Sequence, residues 1–424
     1  MEKNIETKFA LPRQTGNIKD TKYWKLHLLN ETTEVSLIEK EEDHATISAT
    51  GASLIEEEAN HAAITAAAAL LREGGTVAFP TETVYGLGAD ARNTAAVEAV
   101  FAAKGRPSDN PLIVHIADQK ALDELVEEVH PTATALMEAF WPGPLTLVLP
   151  VRPGVLSPRV TAGLDTVGIR IPSHPVALSL LREAGCPVAA PSANRSGRPS
   201  PTLASHVMED LSGFIDAVVD GGAAGVGLES TVVQVLPEGT VAVLRPGGIT
   251  AEQLAAVAGA GAVDTAPAHA AETAAAPAVS AAGLPAGDSA GEDNGPAPRA
   301  PGMKYTHYAP RGWLGVVRGS SPQAVAKTAA ELLQAAQTDG GITGLLRFEE
   351  HAAFYPASPA ACVVSLGSIH SPEEGARSLY AALRRFDEAG ATYILAEACP
   401  ETGLGAAIMN RLMKAAGGTV IAVE

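Results

Sequence analysis

A run of 37 residues, Asp264 to Ala300, holds 14 alanines, 5 prolines and 4 glycines and no aromatic residue. Three small residue types fill 23 of those 37 positions, so the run cannot build a core. It predicts a flexible linker that splits the 424 residues into two folding units, consistent with roughly 150 residues per domain. Hydrophobic content of 46% and charge of 18% are globular values and exclude wholesale disorder.

Ahead of the linker, helical and strand patterns alternate. Residues 1–58 are polar and locally acidic, as in Glu39-Lys-Glu-Glu-Asp43, and predict a solvated extension with a strand or two. Alanine and leucine dominate from Ala59 to Arg72, which favours a helix stopped at Gly74-Gly75. A short buried strand, Thr76–Phe79, ends at Pro80. A helix is expected over Asn93–Ala103, capped by Asn93 or Thr94. Strands are expected at Leu112–Ile116, Leu145–Leu149, Val167–Ile171, Pro187–Ala190, Ala217–Val219, Thr231–Val235 and Val241–Leu244. Beyond the linker, a strand from Gly315 is followed by a helix (Ser321–Gln337) and strands at Thr343–Arg347 and Cys362–Leu366. A helix (Glu373–Glu388), a strand (Thr392–Leu395), a helix (Gly405–Ala416) and a strand (Thr419–Val423) complete it. That alternation predicts a small doubly wound domain after a mixed α/β one.

Several function classes drop out. Lys+Arg 30 against Asp+Glu 48 leaves a net charge of −18, which repels phosphate backbones and disfavours stable bulk nucleic-acid binding. Cys186, Cys362 and Cys399 lie far apart, so neither a disulfide framework nor a cysteine-rich zinc site is expected. The longest apolar stretch, Ala62–Leu71, is ten residues where a bilayer needs about 20. With no signal peptide ahead of it, the expected location is cytoplasmic, without membrane partners.

Four segments concentrate chemistry. Pro80-Thr-Glu-Thr-Val-Tyr-Gly-Leu-Gly-Ala-Asp90 sets Thr81, Glu82, Thr83 and Tyr85 just after a strand, as polar groups converging on a small ligand. Its Gly86-Leu-Gly-Ala-Asp-Ala91 fits a dinucleotide pattern, but Pro80 ends the strand too early and no helix opens on it. Lys104-Gly-Arg-Pro-Ser-Asp-Asn110 follows a helix, where cations also suit the dipole; His115, beyond it, taken alone reads as a core histidine. Ala190-Pro-Ser-Ala-Asn-Arg-Ser-Gly-Arg198 offers hydroxyl, amide and guanidinium donors of the kind that cradle phosphates. Gly227-Leu-Glu-Ser-Thr231 and Leu244-Arg-Pro-Gly-Gly248 read singly as turns at strand edges. Together the segments carry Lys104, Arg106, Arg170, Arg195, Arg198 and Arg245, the local basic cluster a triphosphate needs in so acidic a chain. No G-x-x-x-x-G-K-[ST] is present, which excludes a P-loop.

PTETVYGLGADA, KGRPSDNPLIVHI, PSANRSGRPSPT, GLESTVV and LRPGGIT, in this order, resemble the threonylcarbamoyl-AMP synthase family in its two-domain form. The resemblance implies a YrdC-like twisted mixed-sheet domain with a concave basic cavity over residues 59–260. A linker over 261–312 with a lid motif, Pro301–Pro310, and a small Rossmann-like domain over 313–424 follow. It further implies that L-threonine, bicarbonate and ATP give threonylcarbamoyladenylate and pyrophosphate. That product feeds tRNA threonylcarbamoyl-transfer proteins acting next to the anticodon. Carried over by residue, the tetrad falls on Lys104, Arg106, Ser192 and Asn194. Threonine contacts fall on Thr83, His115, Arg170, Ala190 (through its backbone) and Ser230. ATP contacts fall on Arg106, Asn110, Thr166, Ser192, Ser200, Arg245 and a linker tyrosine, Tyr305 or Tyr308. Mg²⁺ is expected on the triphosphate, held by phosphate oxygens and water, with no metal site in the protein. The competing expectations are a carbamoyl-transfer enzyme, against which the scattered cysteines speak, and a non-catalytic RNA-binding or ribosome-assembly factor, against which the charge speaks.

Overall fold

The structure, a computed structural model, describes residues 18–26, 45–266, 308–355 and 360–423, the side chains of 45–56 excepted. Most of the expected linker, and Tyr305 with it, lies outside the described residues.

Eleven strands of the first domain form one mixed sheet. They are β1 (Lys22–Lys25), β2 (Val77–Phe79), β3 (Gly86–Asp90), β4 (Ile113–His115), β5 (Leu145–Pro150) and β6 (Thr166–Arg170). They continue with β7 (Val188–Ala189), β8 (Ala217–Asp220), β9 (Thr231–Val235), β10 (Val241–Arg245) and β11 (Val263–Asp264). Their order is β1-β8-β2-β3-β7-β4-β6-β5-β9-β10-β11. The sheet mixes parallel pairs (β2 with β8, β4 with β6, β5 with β9) with antiparallel ones (β2 with β3, β4 with β7, β5 with β6). In the centre, β4 and β6 bring His115 and Arg170 into register as neighbours.

Two local outcomes differ from the sequence-based expectation. The first helix begins at Ala45 rather than Ala59, and its acidic residues Glu57 and Glu58 are exposed. Gly86–Asp90, where no strand was expected, is strand β3. Its glycines reflect crowding: a Cβ on Gly88 would sit 2.7 Å from Val188 Cγ1 and 2.8 Å from Phe79 Cε1.

The second domain is a five-stranded parallel sheet. Strands β12 (Trp313–Gly319), β13 (Thr343–Arg347), β14 (Cys362–Ser365), β15 (Tyr393–Glu397) and β16 (Val420–Val423) lie in the order β14-β13-β15-β12-β16. Helix Pro322–Thr338 packs its Val325, Ala326, Ala329 and Leu333 into one core, while helices Pro372–Glu388 and Leu404–Ala415 fill another. Helices on both faces make this a doubly wound, Rossmann-like unit.

The domains share a core. Val84 and Leu228 of the first are buried in one cluster with Tyr308, Leu379, Tyr380 and Leu412. Fully buried Arg384 crosses the boundary, donating to Pro199 O at 2.6 Å and pairing with Asp210 at 2.8 Å.

Candidate active site

The cavity is lined by His115 of β4 and Arg170 of β6 and by the loops beside them. It is a hollow of about 760 Å³ of empty space, open solvent included. Its wall takes Lys104, Arg106, Ser192, Asn194, Arg245 and Tyr308 together with Thr83, His115, Arg170, Ala190 and Ser230.

Each cation is delivered by a defined local device. Helix Thr94–Lys104 starts on Asn93, whose side chain accepts from Ala96 N at 3.2 Å. It ends on Gly105 at φ 63°, with the Gly105 and Arg106 amides returning to Ala102 O and Phe101 O. That left-handed turn aims Lys104 and Arg106 at the cavity in succession. Lys104 Nζ donates to Ser192 O and to Asn194 O (2.6 Å), so the helix end and the Pro191–Asn194 loop form one piece. Ser192 Oγ donates to Asn194 Oδ1 at 2.6 Å, and Asn194 Nδ2 donates to Arg195 O and Arg198 O at 2.8 Å. Burial and the neighbouring Arg106 hold the Lys104 pKa well below its ordinary value. An arriving anion would favour its charged form.

Arg170 is clamped at three points. Its Nε donates to Gly143 O (3.2 Å), Nη1 to Thr83 Oγ1 (2.9 Å), and Nη2 pairs with Glu82 at 2.6 Å. Thr83 is steadied by Thr81, whose hydroxyl is 2.8 Å away and also donates to Val84 O. His115, beside Arg170, is pushed down to about 3 by burial and by that guanidinium, so its imidazole is neutral at physiological pH. Arg245, at the end of β10, donates to Ser230 O and Oγ, and Ser230 meets Thr146 at 2.7 Å.

Three of the expected ATP residues stand off the wall. Asn110 is fully buried behind Arg106, accepting from its Nη2 through the backbone at 3.5 Å. Thr166 sits at the start of β6, paired with Pro150. Ser200 lies behind Glu229, donating to it at 2.6 Å. Of the wider basic cluster, Arg195 turns away, donating to Ala103 O and lying over the Phe214 ring at 5.0 Å. Arg198 lines the cavity but is tied to Glu209, Asp210 and Asp387.

The sequence reading overlooked Glu229 as a wall residue. Burial alone would raise its carboxyl, but Arg411 and Arg245 outweigh that and hold it at about 2. The only available signal was its place between Leu228 and Ser230 in a motif that read as a turn.

Two family models match the chain. One, described as telomere recombination, covers residues 69–247. The other, described as the threonylcarbamoyl-AMP synthase C-terminal domain, covers 249–417. The chain is 51% identical to a threonylcarbamoyl-AMP synthase of Bacillus subtilis over 83% of its own length and 92% of the relative's. It is 43% identical to one from Pyrococcus abyssi, covering 83% of the chain and 94% of that protein. A crystal structure of Pyrococcus abyssi Sua5 complexed with L-threonine superposes with a TM-score of 0.73 at 43% identity, covering 86% of this chain and 97% of that one.

Proposed function

This chain belongs to the threonylcarbamoyl-AMP synthase family, and we infer that it converts L-threonine, bicarbonate and ATP into L-threonylcarbamoyladenylate, pyrophosphate and water. One observation carries the assignment to this cavity: Lys104, Arg106, Arg170, Arg198 and Arg245 line a single hollow in a chain of net charge −18. A site for an uncharged ligand would have no use for that concentration of cations.

The chemistry needs no side-chain nucleophile. The threonine amine attacks carbon dioxide, or bicarbonate with loss of water, and loses a proton to give a carbamate. A carbamate oxygen then attacks the α-phosphorus, and the bond to the β-phosphate oxygen breaks as pyrophosphate leaves. The protein's part is positioning and charge neutralisation, effects that supply several kcal/mol each in a water-poor site. Arg170, held by Glu82, Thr83 and Gly143 O, is placed to meet the threonine carboxylate. Neutral His115 and Ser230 can take hydrogen bonds from the threonine side. The Ala190 amide is committed to Ile113 O at 2.9 Å, so a backbone contact there would use its carbonyl. Lys104, Arg106, Ser192, Asn194 and Arg245 form the phosphate side. Asn110, Thr166 and Ser200 reach ATP only if the nucleotide extends past the wall. Tyr308, buried against the cavity, would keep water from the labile carbamate.

Mg²⁺ is proposed to enter on the triphosphate. The acidic side chain of the wall, Glu229, is already paired with Arg411, and among the described residues no three His, Cys, Asp or Glu side chains cluster to hold a metal. Phosphate oxygens and water would then be its ligands. We further propose that the adenylate passes to proteins that transfer the threonylcarbamoyl group to tRNA, in the cytoplasm. Among the described residues no helix is long and apolar enough to cross a membrane.

The test is pyrophosphate release from Mg²⁺-ATP with threonine and bicarbonate each omitted in turn. Release should require both, and Lys104→Ala and Arg106→Ala should each lower it by about 100-fold or more. Release indifferent to threonine would overturn the substrate assignment. Wild-type turnover in both variants would overturn the site.

A further inference from the structure

Behind the cavity wall, the carboxylate of Glu229 is held by both domains. Ser200 Oγ donates to it at 2.6 Å from the first domain. From the second, Tyr380 OH lies 2.9 and 2.7 Å from its two oxygens, and Arg411 Nε donates at 2.8 Å. Tyr380 stands on helix Pro372–Glu388 and Arg411 on helix Leu404–Ala415, and both are fully buried. Arg411 also donates through Nη2 to Pro246 O (2.9 Å), the residue after Arg245, and its guanidinium lies 5.5 Å over the Tyr308 ring. The Tyr308 and Tyr380 rings are 5.3 Å apart. Tyr308 itself adopts φ 70°, and the next residue is fixed by Ala309 N donating to Gly197 O at 2.9 Å.

A carboxylate facing a polyphosphate site is a liability. Left bare in a low-dielectric wall it would repel the nucleotide and draw Arg245 toward itself. Arg411 cancels that charge from outside the cavity while its Nη2 fixes the backbone beside Arg245. Domain docking alone would not require the ion pair to fall on a wall residue. The shared apolar core of Val84, Leu228 and Leu379 already serves that purpose.

We propose that Arg411 and Tyr380 are positioning residues for the nucleotide end of the site: by holding Glu229 and packing on Tyr308, the C-terminal domain sets the geometry and field in which Arg245 meets the phosphates. This rests on reading the cavity as the ATP site.

The experiment uses the full-length chain as wild type, Arg411→Met, Arg411→Lys, Tyr380→Phe and the double variant Arg411→Met with Glu229→Gln. Binding of a non-hydrolysable ATP analogue is measured by calorimetry, alongside KM for ATP and for threonine in pyrophosphate release. Arg411→Met should weaken analogue binding and raise the ATP KM by about tenfold or more, with the threonine KM within about twofold. Arg411→Lys should fall between it and wild type. Removing the stranded charge in the double variant should recover most of the ATP affinity. Should Arg411→Met fail to fold, Tyr380→Phe carries the test, with about a threefold rise confined to ATP. Unchanged ATP affinity in a folded Arg411→Met or Tyr380→Phe protein would overturn the proposal. So would equal losses for ATP and threonine that Glu229→Gln does not recover. If the wild type releases pyrophosphate without threonine, the synthase reading fails, while the calorimetric comparison still decides the role of Arg411.

Discussion

Burial decides the protonation of several side chains here, and it sets how the protein responds to acid. His115 is pushed down to about 3 by burial and by Arg170, and His206 to about 4 by burial and by Arg384, from an ordinary 6.5. Both folded values lie below the unfolded one, so as pH falls the unfolded chain binds protons first. Their contribution to stability is whole above about 6.5 and shrinks toward pH 4, by at most about 1.4 kcal/mol per pH unit for each group. Glu229, held at about 2, adds a loss only once pH falls below its ordinary 4.5. Urea midpoints should therefore drop between pH 7 and pH 5, and less steeply in His115→Gln; an unaltered slope in that variant would remove His115 from the account. The residues of this site were unequally legible. Lys104, Arg106, Ser192 and Asn194 sit in short motifs whose chemistry is local. Glu229 does not, because the partners that make a buried carboxylate tolerable, Tyr380 and Arg411, lie 151 and 182 positions further along.

Helix Thr94–Lys104 shows how an element can aim a catalytic pair. Its cap at Asn93 is one of the two residues expected there, and it stops at Gly105, since glycine adopts φ 63° without strain. A Cβ on Gly105 would meet nothing closer than Arg195 Nη2 at 3.7 Å, so Gly105→Ala isolates the backbone conformation from crowding. It should cost about 1 kcal/mol of stability and cut pyrophosphate release more than that loss explains, by re-aiming Arg106. Activity equal to wild type would show that the turn is only a stop. Strands such as Thr231–Val235 and Thr343–Arg347 stand where apolar, β-branched runs predicted them. Strand β3 was hidden because its glycines mimic a turn, when they answer to Phe79 and Val188 pressing from either side.

At the scale of the molecule, an acidic exterior surrounds a basic hollow. A chain of net charge −18 should give no gel shift with bulk tRNA at about 150 mM salt; a shift that disappears with added salt would reveal a basic face beyond the cavity. The Asp264–Ala300 composition pointed to two folding units but carried no sign of how they would dock. The complementarity of Arg384 with Asp210 and Pro199 O joins surfaces that share no sequence pattern. The edge strand β1 carries a different long-distance debt. Among the described residues it pairs with β8 alone, and Tyr23 meets Asp220 at 2.5 Å across a separation of 197 residues. On a ribosome adding roughly 5–20 residues per second, β1 is made about 10–40 s before its neighbour exists. Its sequence, Lys-Tyr-Trp-Lys, brackets two aromatics with charge, which discourages pairing with other nascent chains during that wait. The first of the described strands to be translated thus waits for a partner that lies 197 residues further along.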